Sequence, residues 1–124
     1  MYDVASFVPN RRSDPRFRVQ MFLNQYVRDR AYRALAFDIS ETGLAIQKLT
    51  EPIVRSARVV NLELQLPGTR EIIWAAAESR FDEVGADFHV SGLAFSAMAG
   101  KHERMIRDYV RERQARLVRL LPRA

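Results

Sequence analysis

The 124-residue chain has no cysteine, which excludes disulfides, iron–sulfur clusters and cysteine-bound zinc. Its two histidines, His89 and His102, stand on different segments without the spacing of a metal-binding pair. Phosphate-binding glycine loops and the G-x-S-x-G elbow are missing, and no motif pairs two carboxylates for acid–base work. Neither an enzyme nor a resident metal or cofactor is expected. No apolar run approaches the roughly 18 residues that span a bilayer. The opening MYDVASFVPNRR lacks the charged-then-apolar layout of a signal peptide. The expectation is a cytoplasmic protein without stable membrane insertion.

Lysine is also scarce. Lys48 and Lys101 are the only two among 20 basic residues, and the rest are arginine, the residue better suited to forked recognition of phosphate and guanine. The 48% apolar content is that of a globular domain, and the length fits one core. The charge is unevenly placed. Residues 1–100 hold 12 basic and 12 acidic side chains, whereas 101–124 hold eight and three, so the whole surplus of +5 lies in the last segment. A nucleic-acid binder with an evenly basic surface would look different.

Residues 1–10 read as a lead-in ending near Pro9, and RRSDPR as a polar turn. Val19, Met21 and Leu23 alternate as in a strand, and Arg28–Arg30 is the expected hairpin connection. Residues 31–39 alternate again, with Leu35, Phe37 and Ile39 assigned to one face and Ala34, Ala36 and Asp38 to the other. Leu44–Gln47 is a short strand. The clearest alternation is at 58–66, with Val60, Leu62, Leu64 and Leu66 inward. Pro67-Gly68 turns the chain, so Arg70–Phe81 should pair back antiparallel. A turn is expected at Asp82–Gly85 and a last strand at Asp87–Met98. After Gly100 the period becomes helical, with an apolar stripe of Ile106, Tyr109, Val110, Leu117 and Leu121. Five or six strands and one amphipathic helix predict a small β-barrel capped by that helix.

Two motifs stand out. Arg12-x-x-x-Arg16, with Arg11 adjacent, precedes the first strand, and Asp38-x-Ser40-x-x-Gly43 ends the second. Gly43 is expected to let the backbone turn and to let a ligand approach without a Cβ in the way. Taken alone, each motif also fits a solvated basic loop or a self-satisfied turn. Together, in this order and followed by Gly92-x-x-Phe95 and a terminal helix, they resemble the PilZ domain over about Arg11 to Val110.

The resemblance implies a mainly β fold, a six-stranded antiparallel barrel with a C-terminal amphipathic helix. It implies a bacterial receptor for cyclic di-GMP. Residues 1–10 would be a flexible lead-in, 11–100 the barrel with its arginine loop, and 101–124 the basic helix and tail. The ligand would be held by Arg11, Arg12, Arg16, Asp38, Ser40 and Gly43. Arginine forks suit phosphate oxygens and guanine O6 and N7, and Asp38 suits the guanine N–H edge. Arg11 is associated with taking two ligand molecules. The resemblance further implies an adaptor, a monomer or weak dimer, that changes conformation on binding and regulates an unidentified protein in motility, pilus function or exopolysaccharide production. The alternatives are a PilZ fold acting by protein contact alone, and a nucleic-acid-binding barrel. The latter would need surface aromatics interleaved with basic residues, whereas Phe17, Phe37 and Phe95 are assigned to apolar faces.

Overall fold

Inward-pointing apolar residues at every second position build six strands in the computed structural model, which describes residues 14–51 and 57–121. The strands are β1 (Phe17–Val27), β2 (Arg30–Ile39), β3 (Gly43–Leu49), β4 (Val59–Leu64), β5 (Ile73–Val84) and β6 (Phe88–Met98). All neighbours are antiparallel and the sheet closes in the order β1-β2-β3-β6-β5-β4. The expected six-stranded barrel with a C-terminal helix is therefore present. Val19, Met21 and Leu23 of β1, and Val60, Leu62 and Leu64 of β4, point into one core as their alternation predicts.

Strand β2 departs from its expected faces. Ala34 and Ala36 are the inward residues, at 2% and 0% exposure, and Phe37 lies outward at 37%. A register shift between Ala36 and Asp38 against β3 then returns Ile39 to the core. A bulge of this kind changes the parity of the alternation, so residues on either side of it cannot share one face assignment. Small inward alanines leave room for the larger side chains of neighbouring strands.

The expected turn at Asp82 also moves. Strand β5 runs on to Val84, and the chain reverses at Gly85, whose N–H donates to the Phe88 carbonyl at 2.8 Å. Asp82 is held in the strand by side chains. It accepts from Ser79 at 2.7 Å and Ser91 at 2.6 Å, and lies 2.8 Å from His89 Nε2. Burial pushes its carboxyl up, but these bonds from Ser79, Ser91 and His89 outweigh burial and leave it below its ordinary value. Beside this group Lys48 is buried, donates to Gln25 Oε1 at 2.8 Å and lies 4.2 Å from the Tyr32 ring centre. Its burial lowers its pKa, against the opposing pull of Asp82 and Glu51.

Helix α1 (Gly100–Leu120) packs across the barrel end where β1 begins and β2 ends. Ile106 and Val110 enter the core, Arg113 Nη2 donates to the Arg18 carbonyl at 2.8 Å, and Arg111 pairs with Glu41 at 3.3 Å. The expected apolar stripe is only half used. Leu117 and Leu121 are 52% and 59% exposed because the helix outruns the barrel beneath it.

Candidate functional site

The end of β2, the turn after it and the residues before β1 meet at one rim of the barrel. Arg16 enters beside Asp38, with Nη1 and Oδ2 3.4 Å apart and both side chains about one-quarter exposed. Asp14, in the same approach to β1, is buried at 8% exposure and accepts a hydrogen bond from the Thr42 hydroxyl. The approach to β1 is thus fastened at two points to the segment 38–43. Arg11 and Arg12 lie outside the described residues, as do the lead-in 1–10 and the tail 122–124.

Ser40 and Gly43 hold different positions from the ones their motif suggests. The Ser40 side chain is fully buried, and its hydroxyl oxygen accepts from the N–H groups of Thr42 and Gly43, both at 3.2 Å. Its own proton has the Gly43 carbonyl 3.3 Å away, and Ser40 N–H donates to the same carbonyl at 2.9 Å. Ser40 therefore builds the turn that aims Asp38 and Thr42. Gly43 is needed for strand packing. A Cβ there would overlap the Leu93 carbonyl oxygen of β6 and sit 3.1 Å from its carbonyl carbon and 3.2 Å from Ala94 Cα.

Asp14 and Thr42 are the site residues that the motif reading passed over. Thr42 occupies a variable position of the D-x-S-x-x-G stretch, and Asp14 reads as local compensation for neighbouring arginines. Only their meeting across 28 residues gives either a purpose.

The outer face of β1, β2, β4 and β5 bears on the nucleic-acid alternative. Phe22 is 61% exposed with the Arg33 guanidinium 5.3 Å from its ring centre, and Trp74 is 49% exposed beside Tyr26. Surface aromatics next to a basic residue are thus present and Phe37 is exposed against expectation, whereas Phe17 and Phe95 pack against the core as expected. Between them stands Glu63, which accepts from Asn24 and Tyr26, both at 2.9 Å. Those two bonds hold its carboxyl below the usual range, so a fixed negative charge sits where a nucleic-acid backbone would have to pass.

Among the described residues no cluster of three or more acidic or histidine side chains could hold a metal ion. No helix among them is long and apolar enough to cross a membrane.

A small closed barrel, a terminal helix packed on one end, and an arginine–aspartate pair beside a serine-built turn at that same end define a closed β-barrel domain with one candidate binding rim. The chain belongs to the PilZ domain family, whose sequence model matches residues 10–112. No curated protein matches it in sequence. Its structure is similar to the Bacillus subtilis inhibitor of motility MotI, with a TM-score of 0.68 and 19% identity over 82% of this chain and 50% of that one. It is also similar to the PilZ domain of Escherichia coli YcgR with c-di-GMP, with a TM-score of 0.64 and 16% identity over 86% of this chain and 95% of that domain. Borreliella burgdorferi PlzA in complex with c-di-GMP gives a TM-score of 0.62 at 8% identity, over 88% of this chain and 54% of that one. The chain thus spans about half the length of MotI and of PlzA.

Proposed function

We propose that this domain is a cyclic di-GMP receptor that acts as an adaptor, binding the second messenger at the rim formed by the approach to β1 and the 38–43 turn. The observation that carries the reading is the seating of Arg16 beside Asp38, which joins the two halves of the family's sequence signature across the fold. The presence of c-di-GMP in the YcgR and PlzA structures supports the choice of ligand.

In this reading Arg11, Arg12 and Arg16 supply forked donors to phosphate and guanine, and Asp38 accepts from a guanine edge. Ser40 and Gly43 hold Asp38 in place, with Ser40 acting through the turn and Gly43 through the β3–β6 contact. Binding draws Arg16 from its partner toward the ligand. Because that ion pair is part-exposed, its loss costs about 0.2–1 kcal/mol, less than the roughly 1.5–3 kcal/mol a charge-assisted ligand bond returns. The rearranged approach to β1 then changes the surface offered to a downstream protein in the cytoplasm. The name of MotI favours motility as the process, with pilus function and exopolysaccharide production as the other outputs.

Calorimetric titration of cyclic di-GMP into the protein and into Arg12→Ala/Arg16→Ala tests this. Submicromolar to low-micromolar binding that the double substitution removes is the expected outcome, and its stoichiometry reports one or two ligands. No heat from the folded wild type refutes the receptor reading and leaves an adaptor that works by protein contact alone.

A further inference from the structure

We infer that Arg28, Arg58 and Arg80 form a second anion site, at the barrel end that holds the β1–β2 hairpin, that takes a phosphate-bearing ligand. Arg28 stands in the β1–β2 hairpin, Arg58 immediately before β4, and Arg80 in β5. With Ala57, Ser79, Phe81 and Asp82 they line one open depression of about 500 Å³. Arg28 stands about 30 Å of strand from the rim at which β1 begins, whereas Phe81 lies three paired strands from Asp38, through Ala45 and Gly92.

Among the described residues these arginines find few partners. Arg28 and Arg58 have no side-chain hydrogen bond or ion pair among the described residues. Arg80 reaches only Glu78, at 4.0 Å through Nη2, and its buried Nε has no acceptor. A buried donor without a partner is unfavourable, and an oxyanion in the depression would supply one. Arg28 adds a second anomaly. Its φ of 59° is a left-handed conformation that glycine adopts more readily, yet a cation is kept there. The carboxylate in the lining is Asp82, and both of its oxygens already bond to Ser79, Ser91 and His89. Within the lining, three guanidiniums thus meet one carboxylate, and it is turned toward other partners.

Phosphate fits this arrangement better than carboxylate. One arginine fork saturates the two oxygens of a carboxylate, whereas forks from three separate elements suit a group with three or four oxygens. The phosphate belongs either to a soluble ester or to a lipid headgroup.

The test uses the full chain carrying Arg12→Ala/Arg16→Ala, the double substitution expected to silence the Asp38 rim. Pyrophosphate titrated at pH 6 should shift the Arg80 Nε–Hε NMR signal saturably. Arg80→Gln and Arg28→Gly should each weaken that binding about tenfold or more. Arg28→Gly relieves the left-handed backbone, so its melting temperature should hold or rise while binding falls, which separates a binding role from a folding one. Cosedimentation with phosphatidylglycerol vesicles that the same two variants abolish would support the site with lipid as the source. Its absence beside pyrophosphate binding would support a soluble ester. Citrate binding as tightly as pyrophosphate would overturn the assignment to phosphate. No saturable shift, or one that neither variant changes, would overturn the site.

Discussion

Gly43→Ala separates two explanations of the same glycine. If the position serves ligand approach, an alanine leaves the fold intact and weakens binding. If it serves the approach of β3 to β6, the fold suffers first. The geometry favours the second, because the new methyl would overlap the Leu93 carbonyl oxygen, with the carbonyl carbon at 3.1 Å and Ala94 Cα at 3.2 Å. These are backbone atoms of a neighbouring strand and have no rotamer by which to withdraw. Forcing one methyl into such a contact costs about 1–3 kcal/mol. Widening β3 from β6 there also strains the bond from Phe95 N–H to the Thr42 carbonyl, 2.7 Å long, for about another 1 kcal/mol. A total of about 3 kcal/mol should lower the melting temperature by about 10 °C in a domain of this size. Urea unfolding followed by circular dichroism measures it, with Gly68→Ala as the reference. At Gly68 φ is 83° and nothing lies within 4 Å, so an alanine there bears only the left-handed penalty of about 1 kcal/mol. A Gly43→Ala protein as stable as wild type, with cyclic di-GMP binding lost, would refute the strand-packing argument.

Further expectations concern the same rim and the Asp82 group. Ser40→Ala removes an acceptor from two N–H groups and should cost about 1–3 kcal/mol in urea melts, with ligand affinity falling as the turn loosens. Thr42→Val cuts the tie to Asp14, so limited proteolysis should cleave the approach to β1 faster than in wild type, and an unchanged rate would count against the tether. Asp82 has a folded-state pKa below its ordinary value of 3.8, so the stability it contributes is complete above that value and lost as pH falls through the lower one. Thermal melts should therefore show wild type ahead of Asp82→Asn near neutrality, with the gap closing in strong acid.

Much of this architecture was legible because a strand with one wet face has a period of two, and Val60 through Leu66 show that period without interruption. The signature residues were legible too, since Arg16 and Asp38 belong to short motifs. What escaped depends on contacts between distant segments. The bulge near Asp38 arises from pairing with β3, and no local pattern in 31–39 announces it. Ser40 and Gly43 are legible as motif members, but the turn that Ser40 bonds and the close approach of Gly43 to Leu93 are not. The helix stripe is broken in sequence by Arg113 and Gln114, and of its residues Ile106 and Val110, before that break, are buried while the later leucines are exposed. The Arg28, Arg58 and Arg80 cluster comes from three segments and exists only once the sheet has closed.

The strand order also has a consequence during synthesis. Strand β3 cannot complete its pairing until β6 has been made, and β1 must wait for β4, whose paired residues come tens of positions later in the chain. A nascent chain that stops before β6 leaves one flank of β3 and one of β5 unmatched, and the helix residues Ile106 and Val110 that fill the core arrive later still. Such long-range pairings place folding in the slower range of small domains, about milliseconds to seconds. Closure thus waits for the last strand, and the rim around Asp38, built from both early and late partners, comes into being with it.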